Sequence, residues 1–238
     1  MTGRRQGLCW FVIAAALLLA PASASAGSFV GVNTTSIAIP GTMTTASPYP
    51  SQIPVSGLTG TVSDVGVGLR GYSDAGPTGD VEVALVSPAG RALLLMAGAG
   101  SSATNVDLDL NDHAPGQLPG PGILASGSYR PTNLNGTPAN FPSPGPGTSY
   151  GNPGPQGSGT ATFASAFGGD PPDGTWSLYV IYSSTGTAGS FAGGWQLSLS
   201  TAEPQPLPAP AKKKKCKKKH KKRSASAAKK CKKKKKKR

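Results

Sequence analysis

Apolar and polar residues alternate with a period of two in several stretches of the chain between residues 27 and 202. In Thr175–Ser183, Trp176, Leu178, Val180 and Tyr182 fall on one face, and Ser177 and Tyr179 are among those on the other. Trp195, Leu197 and Leu199 alternate in the same way with Gln196, Ser198 and Ser200. Side chains of a strand point to opposite faces in turn, so the pattern predicts two half-buried strands. Ser183–Gly194, rich in Ser, Thr and Gly, predicts a turn joining them. Trp176 and Trp195 are expected to supply a large share of the core of a small sandwich.

The upstream segments supply the material to cover this pair. Ser28–Pro40 reads as an entry strand with Ile37 and Ile39 apolar, and Gly41–Pro54 as a loop. Gly60–Tyr72 alternates, with Val65, Val67 and Leu69 opposite Asp64, Gly66, Gly68 and Arg70. Asp74–Gly79 reads as a turn. Asp80–Ser87 reads as a strand with Val81, Val83 and Leu85 inward and Glu82 outward. Ser87-Pro88-Ala89-Gly90 predicts a turn, and Arg91–Met96 the returning arm of a hairpin. Thr104–Leu110 sets Val106, Leu108 and Leu110 against Asn105, Asp107 and Asp109. From Pro115 to Gly159, and most densely over 132–159, Pro and Gly recur and apolar residues are sparse. Such a composition buries little, and the segment is expected to be a long, partly ordered loop at one end of the sandwich. Thr160–Phe167 then brings the chain back. No long segment has a period of 3.6, so the expected class is all-β, a sandwich or barrel of one domain.

Charge divides the chain into three compositions. The formal net charge of +14 hides a body with three arginines, no lysine and all ten acids, and a tail from Lys212 to Arg238 with 17 Lys and 2 Arg. At the other end, Arg4 and Arg5 precede the apolar run Leu8–Ala20 and the sequence Ala24-Ser25-Ala26. This is the pattern of a cleaved secretory signal over 1–26, too short for a membrane span, so the mature chain is expected to be secreted or held at the cell surface without a transmembrane segment. Residues 203–211 form a Pro-rich linker, expected to be extended. The tail is expected to be disordered in isolation and to attract polyanions in a salt-dependent way. Its densest lysines are Lys212, Lys213, Lys214, Lys215, Lys217, Lys218, Lys219, Lys232, Lys233, Lys234, Lys235, Lys236 and Lys237. For an exported chain the first partners met are anionic envelope polymers and lipid headgroups. Nucleic acid would bind without specificity, since the tail has no aromatic residue for base stacking. Cys216 and Cys231 can pair in an oxidising compartment or link chains.

With Gly79–Gly90 and Gly174–Ser200 both in view, the body resembles the P domain, or P/Homo B domain, of subtilisin-like proprotein convertases. The matching stretches are Gly79-Asp80-Val81, Leu85-Val86-Ser87-Pro88-Ala89-Gly90, Gly174-Thr175-Trp176-Ser177-Leu178 and Trp195-Gln196-Leu197. Asn111-Asp112-His113-Ala114 and Ala164–Gly174 are similar to two further segments of that pattern, and the likeness runs in order over roughly 37–200. The resemblance implies a jelly-roll sandwich of galactose-binding-like type. Asp74-Ala75 stands where many relatives carry His, and Tyr182 where many carry an acid. In that family the domain follows a subtilisin-like protease, which no segment of this chain resembles. The resemblance therefore also implies a partner role toward a separate protease.

Several patterns suggest chemistry. Gly147-Thr148-Ser149-Tyr150-Gly151 matches G-x-S-x-G, but a nucleophile elbow needs a strand before it and a helix after it, and no catalytic residue is expected. Gly66-Val67-Gly68-Leu69-Arg70-Gly71 matches G-x-G-x-x-G inside an alternating strand, where small residues on one sheet face are the better account. Asp80, Asp107, Asp109 and Asp112 could converge on a hard cation such as Ca²⁺, which takes oxygen ligands, or line a solvated sheet face. Asp170 and Asp173 flank two prolines and read as turn residues. No Cys/His spacing in the body suits zinc. The expected function is a non-catalytic binding or structural module held to anionic polymers by its tail, with protease accessory and carbohydrate-binding roles as alternatives.

Overall fold

The computed structural model describes residues 27–203. The segment expected to be a signal, the expected linker beyond Glu203 and the basic tail, with Cys216 and Cys231, lie outside the described residues. The strands are β1 (Ser28–Asn33), β2 (Ile37–Ile39), β3 (Thr44–Thr45), β4 (Ser51–Val55), β5 (Thr61–Asp74), β6 (Val81–Val86), β7 (Ala92–Ala97), β8 (Ala103–Asn111), β9 (Gly127–Tyr129), β10 (Thr132–Asn133), β11 (Gly174–Tyr182), β12 (Gly189–Phe191) and β13 (Trp195–Ala202). A five-residue helix, α1 (Phe163–Phe167), precedes β11. The expected all-β class therefore holds.

The strands form two sheets. In the first, of seven strands, β5 is central: β13 and β12 share one of its edges, β8 takes the other, and β1, β2 and β9 lie outside them. The second, of six strands, runs β10-β7-β6-β11, with β3 and β4 side by side on the far edge of β11. Most pairings are antiparallel; β8 with β9 and β10 with β7 are parallel. Val65, Val67 and Leu69 of β5 face Val83, Leu85, Leu178 and Val180 of the second sheet in one buried core. Both tryptophans are fully buried in that core. They do not sit on two arms of a hairpin, because β11 belongs to the second sheet and β13 to the first. The segment between them crosses from one layer to the other and forms β12 on the way. Trp195 Nε1 donates to Ser51 Oγ of β4 at 2.9 Å, a hydrogen bond from one sheet to the other. Trp176 Nε1 donates to the Pro172 carbonyl at 3.0 Å.

The outer face of the first sheet keeps the expected alternation. Val30, Ser198, Gly66 and Asn111 lie in one cross-strand row, and Val32, Gln196, Gly68 and Asp109 in the next. Gly66 and Gly68 serve as small residues on this face: a Cβ on Gly66 would meet Ser198 Oγ, and one on Gly68 would meet the Arg70 guanidinium. No helix follows them, so the phosphate-binding pattern is a coincidence of spacing. Gly71, at φ +63°, marks a register shift that lets both Leu69 and Tyr72 point inward. A residue with positive φ favours Gly.

The outer face of the second sheet is different. β6, β7 and β11 are buried almost throughout, on both faces. The cover is the Pro- and Gly-rich segment, which lies across the sheet rather than at one end of the sandwich. Phe141 and Ala139 pack with Ala84, Leu94, Tyr179 and Ile181 in a second apolar cluster. A Pro-rich segment offers few N–H donors, so its carbonyls need partners from elsewhere. Tyrosines supply them: Tyr49 OH donates to Pro142 O at 2.8 Å, Tyr179 OH to Pro144 O at 3.0 Å and Tyr150 OH to Ala139 O at 3.0 Å. Burial pushes the Tyr49 phenol up to about 12 and raises those of Tyr150 and Tyr179, so all three remain donors at neutral pH.

Two expected boundaries and one expected orientation change. Asn33 Oδ1 accepts from Thr35 N at 3.0 Å, and this turn splits the expected entry strand into β1 and β2. The expected loop Gly41–Pro54 contains β3 and most of β4. Ser51, Ile53 and Val55 of β4 point inward, and Pro54 is accommodated because β4 is an edge strand. The expected outward Glu82 is buried, because the Pro/Gly segment covers its face of β6.

Candidate functional site

At the margin of this covering layer lies a groove of about 510 Å³. The start of β6 gives it Asp80 and Glu82, and the end of β11 gives it Ile181, Tyr182 and Ser183. Met43 and Thr44 form one wall, and the segment from Asn135 to Pro142 the other. Met43 is among the most exposed large apolar side chains, at 72%.

Glu82 is only 3% exposed. Its position follows from register: Glu82 pairs with Ile181 across β6 and β11, on the face that the Pro/Gly segment covers. Asn135 Nδ2 donates to Glu82 Oε1 at 2.8 Å, while Oε2 has no partner among the described residues. Asn135 is itself held by a turn in which Asn133 Oδ1 accepts from its backbone N–H at 2.9 Å. Burial pushes the Glu82 carboxyl above the ordinary carboxylate range. The Asn135 amide and the nearby Ser183 hydroxyl draw it partly back, and Asp80 raises it further. The Ser183 hydroxyl donates its hydrogen bond to the Asp80 carbonyl at 3.1 Å. A second group of unpartnered buried oxygens, Tyr72 OH, Asp74 Oδ2, Thr78 Oγ1 and Tyr182 OH, belongs to the adjoining interior. Asp74 and Tyr182 lie close enough that the Asp74 charge raises the Tyr182 phenol, after the larger effect of burial.

The four carboxylates considered for calcium are not brought together: among the described residues no three acids, histidines or cysteines group around one point. Asp107 Oδ1 accepts from Gly71 N at 2.8 Å and pins the bulge in β5. Asp109 pairs with Arg70 at 2.7 Å. Asp112 accepts from Phe163 N and Ala164 N at the start of α1. Asp80 alone lines the groove. The geometry thus corrects the expectation of a convergent site, because each strand carboxylate already serves a local donor. Asp170 and Asp173 hold other segments rather than their own turn. Asp170 receives Arg91 through both carboxylate oxygens, at 2.8 and 2.6 Å, and Asp173 accepts from Gly57 N and Leu58 N. Ser149 is exposed in the covering layer, with neither a strand before it nor a helix after it, and His113 Nε2 lies 3.3 Å from Asp64.

Glu82 is the residue that alternation misplaced. The signal that could have found it is the pair of runs Val81–Val86 and Ala92–Met96, almost unbroken in apolar residues. Strands with such runs are buried on both faces, and an acid within one is enclosed. No helix among the described residues is long and apolar enough to cross a membrane. No family model matches the chain, and no curated protein matches it.

Proposed function

We propose that this chain is an exported, non-catalytic binding module of the P-domain type, a jelly-roll sandwich retained on anionic envelope polymers by its polybasic tail. The observation that carries this reading is the partition of charge. The body holds three arginines against ten acids, a net of −7, and the tail holds 19 positive charges and no acid. A tail of that density neutralises polyanions and releases their counterions, whatever their sequence or detailed structure. A mildly acidic body gains nothing from the same surface, so its work is recognition rather than adhesion. The ordered appearance of the P-domain motifs and the two packed sheets support the family reading. The groove beside Glu82 supports a binding role for the sandwich.

The test compares the mature chain with a version ending at Ala211. Both are titrated onto purified cell envelopes and onto duplex DNA across a salt series. Retention of the full chain alone, released by salt, is the expected result. Equal retention of the shortened chain at high salt would overturn the tail as anchor. Co-purification of the mature chain with a subtilisin-like protease would move the reading to the protease-accessory role.

A further inference from the structure

Among the described residues Glu82 lacks a positive partner, and of the two buried acids it is the less satisfied: Asp74 Oδ1 accepts from Gly76 N and Thr187 Oγ1, while Glu82 has a single hydrogen bond. An ionised carboxylate taken out of water is costly unless a counter-charge or several hydrogen bonds offset it. Here one carboxylate oxygen has the Asn135 amide, and the other has no hydrogen bond among the described residues, the nearby Ser183 hydroxyl being turned to the Asp80 carbonyl. The body offers no substitute cation. It has no lysine, and none of its three arginines lines the groove. Arg70 is paired to Asp109, Arg91 to Asp170, and Arg130 lines a separate groove with Asp112 and Gln117. Half-buried Asp80 brings a second carboxylate to the same lining, close enough to raise the Glu82 carboxyl further.

We infer that the groove binds a small hydroxylated primary ammonium compound of amino-sugar size. This rests on the reading of the sandwich as the binding part of the module. The ammonium sits at Asp80 with the Glu82 carboxylate behind it, where a low local dielectric strengthens the attraction. Asn140 and Ser183 offer amide and hydroxyl groups to the ligand's hydroxyls, and Pro138 and Ile181 offer apolar walls to its ring face. A volume of about 510 Å³ is that of a small-molecule site. A bare divalent ion fits less well. Calcium gathers six to eight oxygen ligands at about 2.3–2.6 Å, and no three acids converge among the described residues.

The experiment titrates the full mature chain with D-glucosamine and, separately, with its uncharged counterpart D-glucose. It is run at fixed ionic strength and at a pH where the amine is charged, with backbone amide shifts as the readout. Glucosamine is expected to bind about tenfold or more tightly than glucose, the difference a charge-assisted contact makes. The shifts should centre on Asn135–Pro142 and Ile181–Ser183. Asp80→Asn should bring the two sugars within about threefold of each other. Equal affinities in the wild-type chain, or shifts absent from these residues, would overturn the inference, and this comparison decides the matter even if the variant does not fold. Displacement of glucosamine by calcium in the same groove would also overturn it, in favour of a metal site. Envelope retention through the tail is independent of every one of these outcomes.

Discussion

The two sheets present opposite solutions to the same problem. Each has one face in the common core. The first sheet leaves its other face to water, and there the residues are Ser198, Gln196, Gly66 and Asp109. The second sheet has its other face covered, and there the residues are Ala84, Leu94, Tyr179 and Ile181. The comparison shows that a segment poor in apolar residues can still order itself. The 115–159 segment brings only a few, but it brings Phe141 and Ala139 to a sheet that supplies the rest of the apolar surface. Three tyrosine hydroxyls satisfy carbonyls that prolines leave without a ladder.

Weakening the two interfaces separately tells them apart. Trp176→Ala empties part of the common core and should cost about 3–5 kcal/mol, read as the loss of unfolding free energy in denaturant. Phe141→Ala empties the outer cluster alone and should cost less, about 2–3 kcal/mol, because the covering segment can shift to fill part of the space. Hydrogen exchange separates the two. Phe141→Ala should speed exchange at Phe141, Gly147 and Gly151, whose amides bond within the cover or to β7, and leave β5 and β13 protected. Uniform acceleration in both sheets would mean that the cover and the core unfold as one unit.

Glu82 tests the same contrast through charge. A carboxyl raised by burial contributes stability that is fully present below its unfolded value, in the ordinary carboxylate range, and is lost as pH rises through its folded value. Tm should therefore gain less, or fall more, on going from mildly acidic to neutral pH in the wild type than in Glu82→Gln, which cannot ionise. The groups facing Glu82 are Asp80, Asn135, Ser183 and Tyr150. The Asp80 charge adds to the rise of the Glu82 carboxyl, so Asp80→Asn should retain the wild-type direction of the slope with a smaller size. Identical Tm–pH profiles for the wild type and Glu82→Gln would mean that water reaches the carboxyl freely and that the cover is loose at that point.

What alternation made legible was the first sheet and the inner face of the second. A period of two marks strands with one face in water, as in β5, β8 and β13, but it also appears in β11, which is not half-buried as expected because both its faces are covered. β6 and β7 are enclosed on both sides, so their periodicity carried no sign of which face Glu82 would take. β4 was illegible because Pro54 reads as a breaker, and its place on an edge strand is a fact of topology. The crossing between β11 and β13 was illegible because Ser, Thr and Gly suit a short hairpin turn and a passage between sheets equally well. The candidate site fared worse, since it joins the neighbours Asp80 and Glu82 to Asn135 and Ser183, which come from two segments far away in the chain. Alternation placed Asp107 and Asp109 on one face, as the structure has them. It could not show that the Gly71 amide and the Arg70 guanidinium already occupy them.

That occupation gives the smallest effects, and it separates two carboxylates that the sequence treats as equivalent. Asp107 accepts from a backbone N–H at the bulge that turns both Leu69 and Tyr72 inward, so Asp107→Ala should cost about 1–2 kcal/mol by leaving that amide without its acceptor. Asp109 pairs with Arg70 in the open, at 50% exposure of its own side chain, and the guanidinium can turn to Gln196 Oε1, already 3.3 Å away. Asp109→Ala should therefore cost less than about 1 kcal/mol, and less still at high salt. If the two instead shared a calcium ion, millimolar calcium would raise the Tm of the wild type and either substitution would remove that rise. Unequal costs with no calcium dependence would leave Asp107 as the fastener of the bulge and Asp109 as one polar residue among others on the face the first sheet gives to water.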